Sequence, residues 1–142
     1  MQISGVLRRK GNEVLTITPD ASVRDLLQLI SDRRVGAAVV SSDGRHVEGI
    51  VSERDIVWRL CSDGERILDA RVADIMTTDV HTCAPTDHVN ELMVTMTEQR
   101  IRHIPVVVDG ELAGIVSIGD VVKHRMDELQ AERDQLEAYI SR

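Results

Sequence analysis

The sequence predicts an α+β fold: two β-α-β-β-α repeats packed about a pseudo-two-fold axis, followed by a C-terminal helix. Three observations carry this prediction: an internal duplication, a switch of hydrophobic period inside each copy, and a heptad-like apolar stripe after the second. Residues 19–44 laid on 85–110 match at Pro19/Pro85, Val23/Val89, Leu26/Leu92, Arg34/Arg100, Val40/Val106, Asp43/Asp109 and Gly44/Gly110. One extra residue in the first turn moves the offset from 66 to 65. Residues 49–57 then match 114–122 at Gly49/Gly114, Ile50/Ile115, Val51/Val116, Ser52/Ser117, Asp55/Asp120 and Val57/Val122. A fixed-period match of this kind marks a tandem structural repeat.

The elements follow in order. A lead-in with Ile3, Val6 and Leu7 is echoed by Val72, Ile75 and Met76, with about three more residues around Gly11 in the first copy. A short strand precedes Pro19 and another precedes Pro85. Val23, Leu26, Leu27 and Ile30, like Val89, Leu92, Met93 and Met96, fall at i, i+3, i+4 and i+7, the apolar face of an amphipathic helix. Asp20 or Ser22 can cap the first of these helices, and Thr86 or Asp87 the second. β-rich runs at Val35–Ser41 and Ile101–Val108 lead through Asp-Gly turns at 43–44 and 109–110 to a second strand ending in Gly-Ile-Val, so each pair forms a hairpin. A second helix starts near Ser52 and near Ser117. In the last segment Val122, Met126, Leu129, Arg133, Leu136 and Ile140 are spaced 4, 3, 4, 3 and 4, a stripe that suits either a dimer seam or a helix folded back on its own module. The chain therefore divides into a first repeat with lead-in and linker at 1–71, a second repeat at 72–126 and an amphipathic helix at 127–142. A unit of roughly 55–60 residues has little core of its own, so the two repeats should pack together, with clefts between them.

Composition narrows the function. The 142 residues, 42% hydrophobic and 29% charged, suit an ordinary globular protein of one compact unit. Seventeen Lys and Arg against 24 Asp and Glu give a net charge of −7, which argues against tracking the phosphates of a long nucleic acid. With one Trp, one Tyr and no Phe, a base-stacking platform cannot be assembled, and a bound base is expected to lie between aliphatic side chains. Cys61 and Cys83 are too few for a disulfide framework. No apolar run reads as a signal peptide or membrane span, so a cytoplasmic protein is expected.

The motif shared by both copies is Gly-Ile-Val-Ser-x-x-Asp, at Gly49–Asp55 and Gly114–Asp120. Ser followed three residues later by an acid at a helix start resembles a capping box. The same hydroxyl and free amides suit an anion, and the Asp could accept two hydrogen bonds from a ribose diol. Spacing alone leaves both readings open.

The doubled motif, the run Arg-Ile-Arg-His-Ile-Pro-Val-Val at 100–107 and Asp-Ile-Met-Thr at 74–77 together resemble a pair of CBS (cystathionine β-synthase) domains, a Bateman module, over nearly all of residues 1–126. The resemblance implies a stand-alone, non-catalytic regulatory module. Its clefts would hold an adenine nucleotide (AMP, ADP, ATP, NAD(H) or S-adenosylmethionine) and signal occupancy to a partner protein. Carried over by position, one cleft would use Asp120 for the ribose, Ser117, Gly119 and His103 toward the phosphates, and Ile115, Val35 and the Gly36 backbone around adenine. The other would use Asp55 for the ribose, Ser52, Arg54 and Thr77 for phosphates, and Ile50, Ile101 and the Arg102 backbone around adenine. Ala37-Ala38-Val39 stands where the second copy has His103-Ile104-Pro105, and Glu53-Arg54 where it has Ile118-Gly119. These departures argue against equal affinity and allow for one empty cleft.

Several residues carry less. Asp79, His81 and Cys83 alternate as if on one face of a strand, but no second ligand pair at metal-site spacing accompanies them, so no metal is expected. His46, His88 and His124 read as solvated, Cys61 as a small buried or helix-end residue, and Trp58 as core or dimer contact. No nucleophile, base or metal constellation supports an enzyme. The assembly expected is a homodimer without nucleic-acid or membrane contacts. The alternative reading is a structural adaptor whose clefts bind nothing.

Overall fold

The computed structural model describes residues 1–141. Its elements are α1 (Ile3–Lys10), β1 (Thr16–Ile17), α2 (Val23–Arg33), β2 (Ala37–Val40), β3 (Gly49–Ser52), α3 (Glu53–Asp63), a 3-10 turn (Gly64–Asp69), α4 (Val72–Ile75), α5 (Val89–Gln99), β4 (His103–Val108), β5 (Glu111–Ser117) and α6 (Ile118–Ile140). The first copy holds a three-stranded sheet in which β2 runs parallel to β1 and antiparallel to β3. The second holds the antiparallel pair β4–β5, and the strand expected before Pro85 shrinks to one parallel bridge, Cys83 to Val106.

The two copies repeat each other down to single backbone angles. Arg34 and Arg100 end α2 and α5 in the left-handed conformation, with φ of 53° and 55°, and the next residue in each case donates back into the helix, Val35 N to Ile30 O and Ile101 N to Met96 O. Non-glycine residues take this conformation at a steric cost, so its recurrence at equivalent positions reflects one shared fold. Helix starts are less alike. Ser22 caps α2 by accepting from Asp25 N, whereas α5 starts at His88 without a side-chain cap, because Asp87 turns back to accept from Ala84 N. Neither Thr86 nor Asp87 is therefore the cap that was expected.

The hairpins also differ. Asp109 and Gly110, at φ of 52° and 79°, make a two-residue turn between β4 and β5. In the first copy the strands are shorter, and residues 41–48 form a loop knotted by Asp43, whose carboxylate accepts from Arg45 N, His46 N and Ser41 Oγ. These bonds, led by His46, hold the Asp43 carboxyl well below the ordinary range.

Each lead-in docks on the other copy. Ile3 N donates to Asp87 O, Ser4 N to Pro85 O and Val89 N to Met1 O, and the same three bonds recur as Val72 N to Ala21 O, Ala73 N to Pro19 O and Val23 N to Ala70 O. Ile3, Val6 and Leu7 thus enter the core of the second copy with Val89, Leu92, Met96, Ile104, Val106 and Val116. Val72 and Ile75 enter that of the first with Val23, Leu26, Ile30, Val40 and Val51. This exchange interlocks the copies and gives each small sheet the cover that its own sequence span lacks.

α6 is one continuous helix that outruns the module. Val122, Met126, Leu129, Leu136 and Ile140 are exposed along it, so the stripe is not folded back on its own chain. His124, expected in solvent, is buried at 3% exposure; it faces the side of α6 that packs on α1, with Nε2 3.3 Å from Glu128.

Candidate functional site

Two clefts stand out, and they are unlike. The larger encloses about 710 Å³, within the range of small-molecule sites, and is lined by residues of both copies. Ile50, Ser52, Arg54, Asp55, Thr77, Ile101 and Arg102, the seven residues expected around Asp55, all line it. The structure adds Ala37, Glu53, Trp58, Asp79, Val80, His81, Gln99 and Arg100.

Local structure explains how these residues converge. β3 ends at Ser52 and α3 begins at Glu53, so Ser52 and Asp55 sit on the first turn of a helix. Asp55 Oδ2 accepts from Ser52 N at 2.9 Å and from Ser52 Oγ at 3.1 Å. The capping reading is therefore realised. It engages one carboxylate oxygen, and Oδ1 takes no protein hydrogen bond among the described residues. Thr77 is held beside Ile50 by a reciprocal backbone pair, both bonds 2.9 Å. Gly49 permits that approach, since a Cβ there would stand 2.9 Å from Thr77 O and 2.8 Å from Met76 Sδ. Across the cleft Arg54 donates to Arg100 O at 3.1 Å and lies 5.6 Å from the centre of the Trp58 ring. Arg54, Arg100 and Arg102 form no ion pair among the described residues, which leaves three guanidinium groups on the cleft.

Trp58 is 64% exposed and stands on the cleft rim, so it is neither core nor remote from the site. Its signal in the sequence was the i, i+4 spacing from Arg54 on the helix that begins at the motif, and it adds an aromatic ring to a lining expected to be aliphatic.

The smaller cleft encloses about 110 Å³ and is lined by Val6, Arg9, Lys10, Asp120, Lys123 and His124. Of the residues expected around Asp120, Ser117, Gly119, Ile115 and Val35 do not line it, and Gly36 and His103 open instead onto the Asp55 cleft. α1 reaches the same carboxylate: Lys10 Nζ sits 2.6 Å from Asp120 Oδ2 and 2.8 Å from Ile115 O. Asp120 also closes a capping box with Ser117, accepting from Ser117 N at 2.9 Å and donating its own N–H to Ser117 Oγ at 3.2 Å. Burial alone would raise its carboxyl, but the bonds from Lys10 and Ser117 prevail and hold it below the ordinary value. His103, the first residue of β4, lies between the clefts. Burial, with Lys10 next in weight, lowers its imidazole below the ordinary value against the opposing pull of Asp120 and Glu53.

The remaining candidates separate. Asp79 and His81 line the large cleft in an irregular segment, while Cys83 turns into the second core, where burial pushes its thiol up to about 12. The shared strand face expected of these three does not form, and no group of three metal-ligating side chains occurs among the described residues. Cys61 is exposed on α3, near its end. His46 and His88 are exposed, as expected. No helix among the described residues is long and apolar enough to cross a membrane.

A chain built of two such copies, each with a Ser-x-x-Asp helix start, is a tandem-repeat module. The family model described as CBS domain matches it twice, over residues 4–62 and 72–127, and the chain belongs to the CBS domain family. It is 38% identical over 97% of its length to the mitochondrial CBS domain-containing protein CBSX3 of Arabidopsis thaliana, covering 71% of that protein. Among solved structures it resembles a CBS-domain-containing protein from Agrobacterium tumefaciens, with 40% identity and a TM-score of 0.85 over 88% of this chain and 99% of that one. It also resembles a CBS domain protein from Pyrobaculum aerophilum complexed with AMP, at 29% identity and a TM-score of 0.74 over 84% and 89% of the two chains.

Proposed function

We propose that this chain is a non-catalytic regulatory module that binds an adenine nucleotide in the Asp55 cleft and reports its occupancy to a partner protein. One observation carries the reading: the large cleft joins a carboxylate with an uncommitted oxygen to three unpaired arginines. A diol on the first and phosphates on the second are the two polar ends of a nucleotide. Asp55 takes the ribose, Ser52, Arg54 and Thr77 the phosphates, and Ile50, Ile101 and the Arg102 backbone enclose the adenine. The relative complexed with AMP supports an adenosine ligand; AMP, ADP, ATP, NAD(H) and S-adenosylmethionine share the features used here, and a role in sensing adenylate energy status follows from that choice. The free thiol of Cys61, exposed on α3, suits a reducing compartment such as the cytoplasm.

Calorimetry with AMP and GMP tests the ligand class. Guanine presents a 2-amino group and a reversed hydrogen-bonding edge, and each buried polar group left unpaired costs about 1–3 kcal/mol, so GMP is expected to bind roughly fivefold to 150-fold more weakly. Equal affinities would exclude an adenine-shaped site.

The exposed stripe on α6 favours a second property, assembly. Its apolar side chains find no cover among the described residues, and a second copy laid along α6 supplies a matching stripe by symmetry. Light scattering should give a homodimer that weakens when residues 127–142 are deleted. A monomer at micromolar concentration would contradict the pairing. A dimer without nucleotide binding would leave the structural adaptor standing.

A further inference from the structure

The lead-ins begin alike and end differently. Leu7 and Met76 occupy equivalent places, each packed so closely on the glycine that opens the motif that an added Cβ would meet it at 2.8 Å, Gly114 against Leu7 and Gly49 against Met76. After that point α4 has stopped: Met76 is extended at φ −66° and ψ 154°, and Thr77 runs on to pair with Ile50. α1 instead continues through Arg8, Arg9 and Lys10 and breaks at Gly11, whose φ of 94° ends the helix. The extra turn carries Lys10 onto Asp120 and Ile115, the counterparts of Asp55 and Ile50. It is fastened from the outside by Arg9, 2.8 Å from Asp127 on α6.

From this geometry we infer that Lys10 is an internal ligand of the second cleft, which limits the module to one nucleotide per chain. The inference rests on the nucleotide reading of the Asp55 cleft. The Lys10 ammonium lies against Oδ2 of the carboxylate that would take a ribose and against the carbonyl beside which the base would lie, so it stands where the nucleoside would enter. A nucleotide entering there has to break both contacts and leave an ammonium without its partners, whereas the Asp55 cleft asks for no such exchange. Lys10 is thus the residue that makes two pseudo-symmetric clefts functionally unequal.

Calorimetry of AMP binding to the full chain tests this. The wild type should bind one AMP per chain, and Lys10→Ala should bind two, the second lost again in Lys10→Ala with Asp120→Ala. Lys10→Met keeps a side chain of similar length and removes the charge, so it should show the second site even if Lys10→Ala loosens the helix. Two AMP bound by the wild type, or one bound by both Lys10 variants, would overturn the inference and leave the Asp55 site intact. No binding by the wild type would overturn the Asp55 reading instead. In that case a single site appearing in the Lys10 variants would still support the blocking role, and its absence would end both.

Discussion

Asp55→Ala should weaken AMP binding by roughly tenfold to 150-fold, because it removes charged hydrogen bonds to the ribose worth about 1.5–3 kcal/mol. The same change also removes the carboxylate that accepts from Ser52 N and Oγ, so the apo protein should lose about 0.5–2 kcal/mol of stability. Asp55→Asn separates the two roles. Its carbonyl oxygen can still take the Ser52 amide, while the second oxygen becomes an NH2 group that donates and cannot accept. Stability should therefore stay near that of the wild type while affinity remains low. Since a ligand at a hundred times its dissociation constant stabilises by about 2.7 kcal/mol, a fiftyfold weakening leaves about 0.65 kcal/mol, a difference that melting curves with and without AMP resolve. An Asn variant with full affinity would reduce Asp55 to a helix cap.

Ile3→Ala should cost about 2–5 kcal/mol of unfolding free energy, the range for truncating a fully buried aliphatic side chain. The location of the damage is the informative part. Ile3 lies at the start of the first copy's sequence but in the core of the second, among Val89, Met96, Ile104 and Val116. Hydrogen exchange should accelerate first in α5, β4 and β5, with α2 and β2 protected to higher denaturant. The opposite order would mean that α1 does not dock where the exchange of lead-ins puts it.

The duplication made much of this legible. Equivalent residues in the sequence adopt equivalent conformations, down to the left-handed Arg34 and Arg100, because each pair meets the same surroundings. The seven residues expected around Asp55 line one cleft for the same reason: the motif fixes a strand-to-helix junction, and a junction fixes where its first turn points. What sequence comparison could not reveal was the exchange of lead-ins, a matter of long-range docking that leaves the local pattern unchanged. Three extra residues around Gly11 were visible as a length difference, but only the continued helix shows that they deliver a cation to Asp120. His124 was misplaced because an isolated histidine on a charged helix reads as solvated, while its burial depends on α1 lying across that face. Trp58, read by type as core or dimer contact, is not core: it is exposed on the cleft rim, four residues after Arg54.

The measurement that bears most directly on the central claim is a crystal structure of the full chain grown with saturating AMP. AMP is expected in the cleft between the two copies, with both ribose hydroxyls on the Asp55 carboxylate, the phosphate among Ser52, Arg54 and Thr77, and the adenine between Ile50 and Ile101. AMP bound elsewhere, or a cleft that stays empty at saturation, would contradict the account.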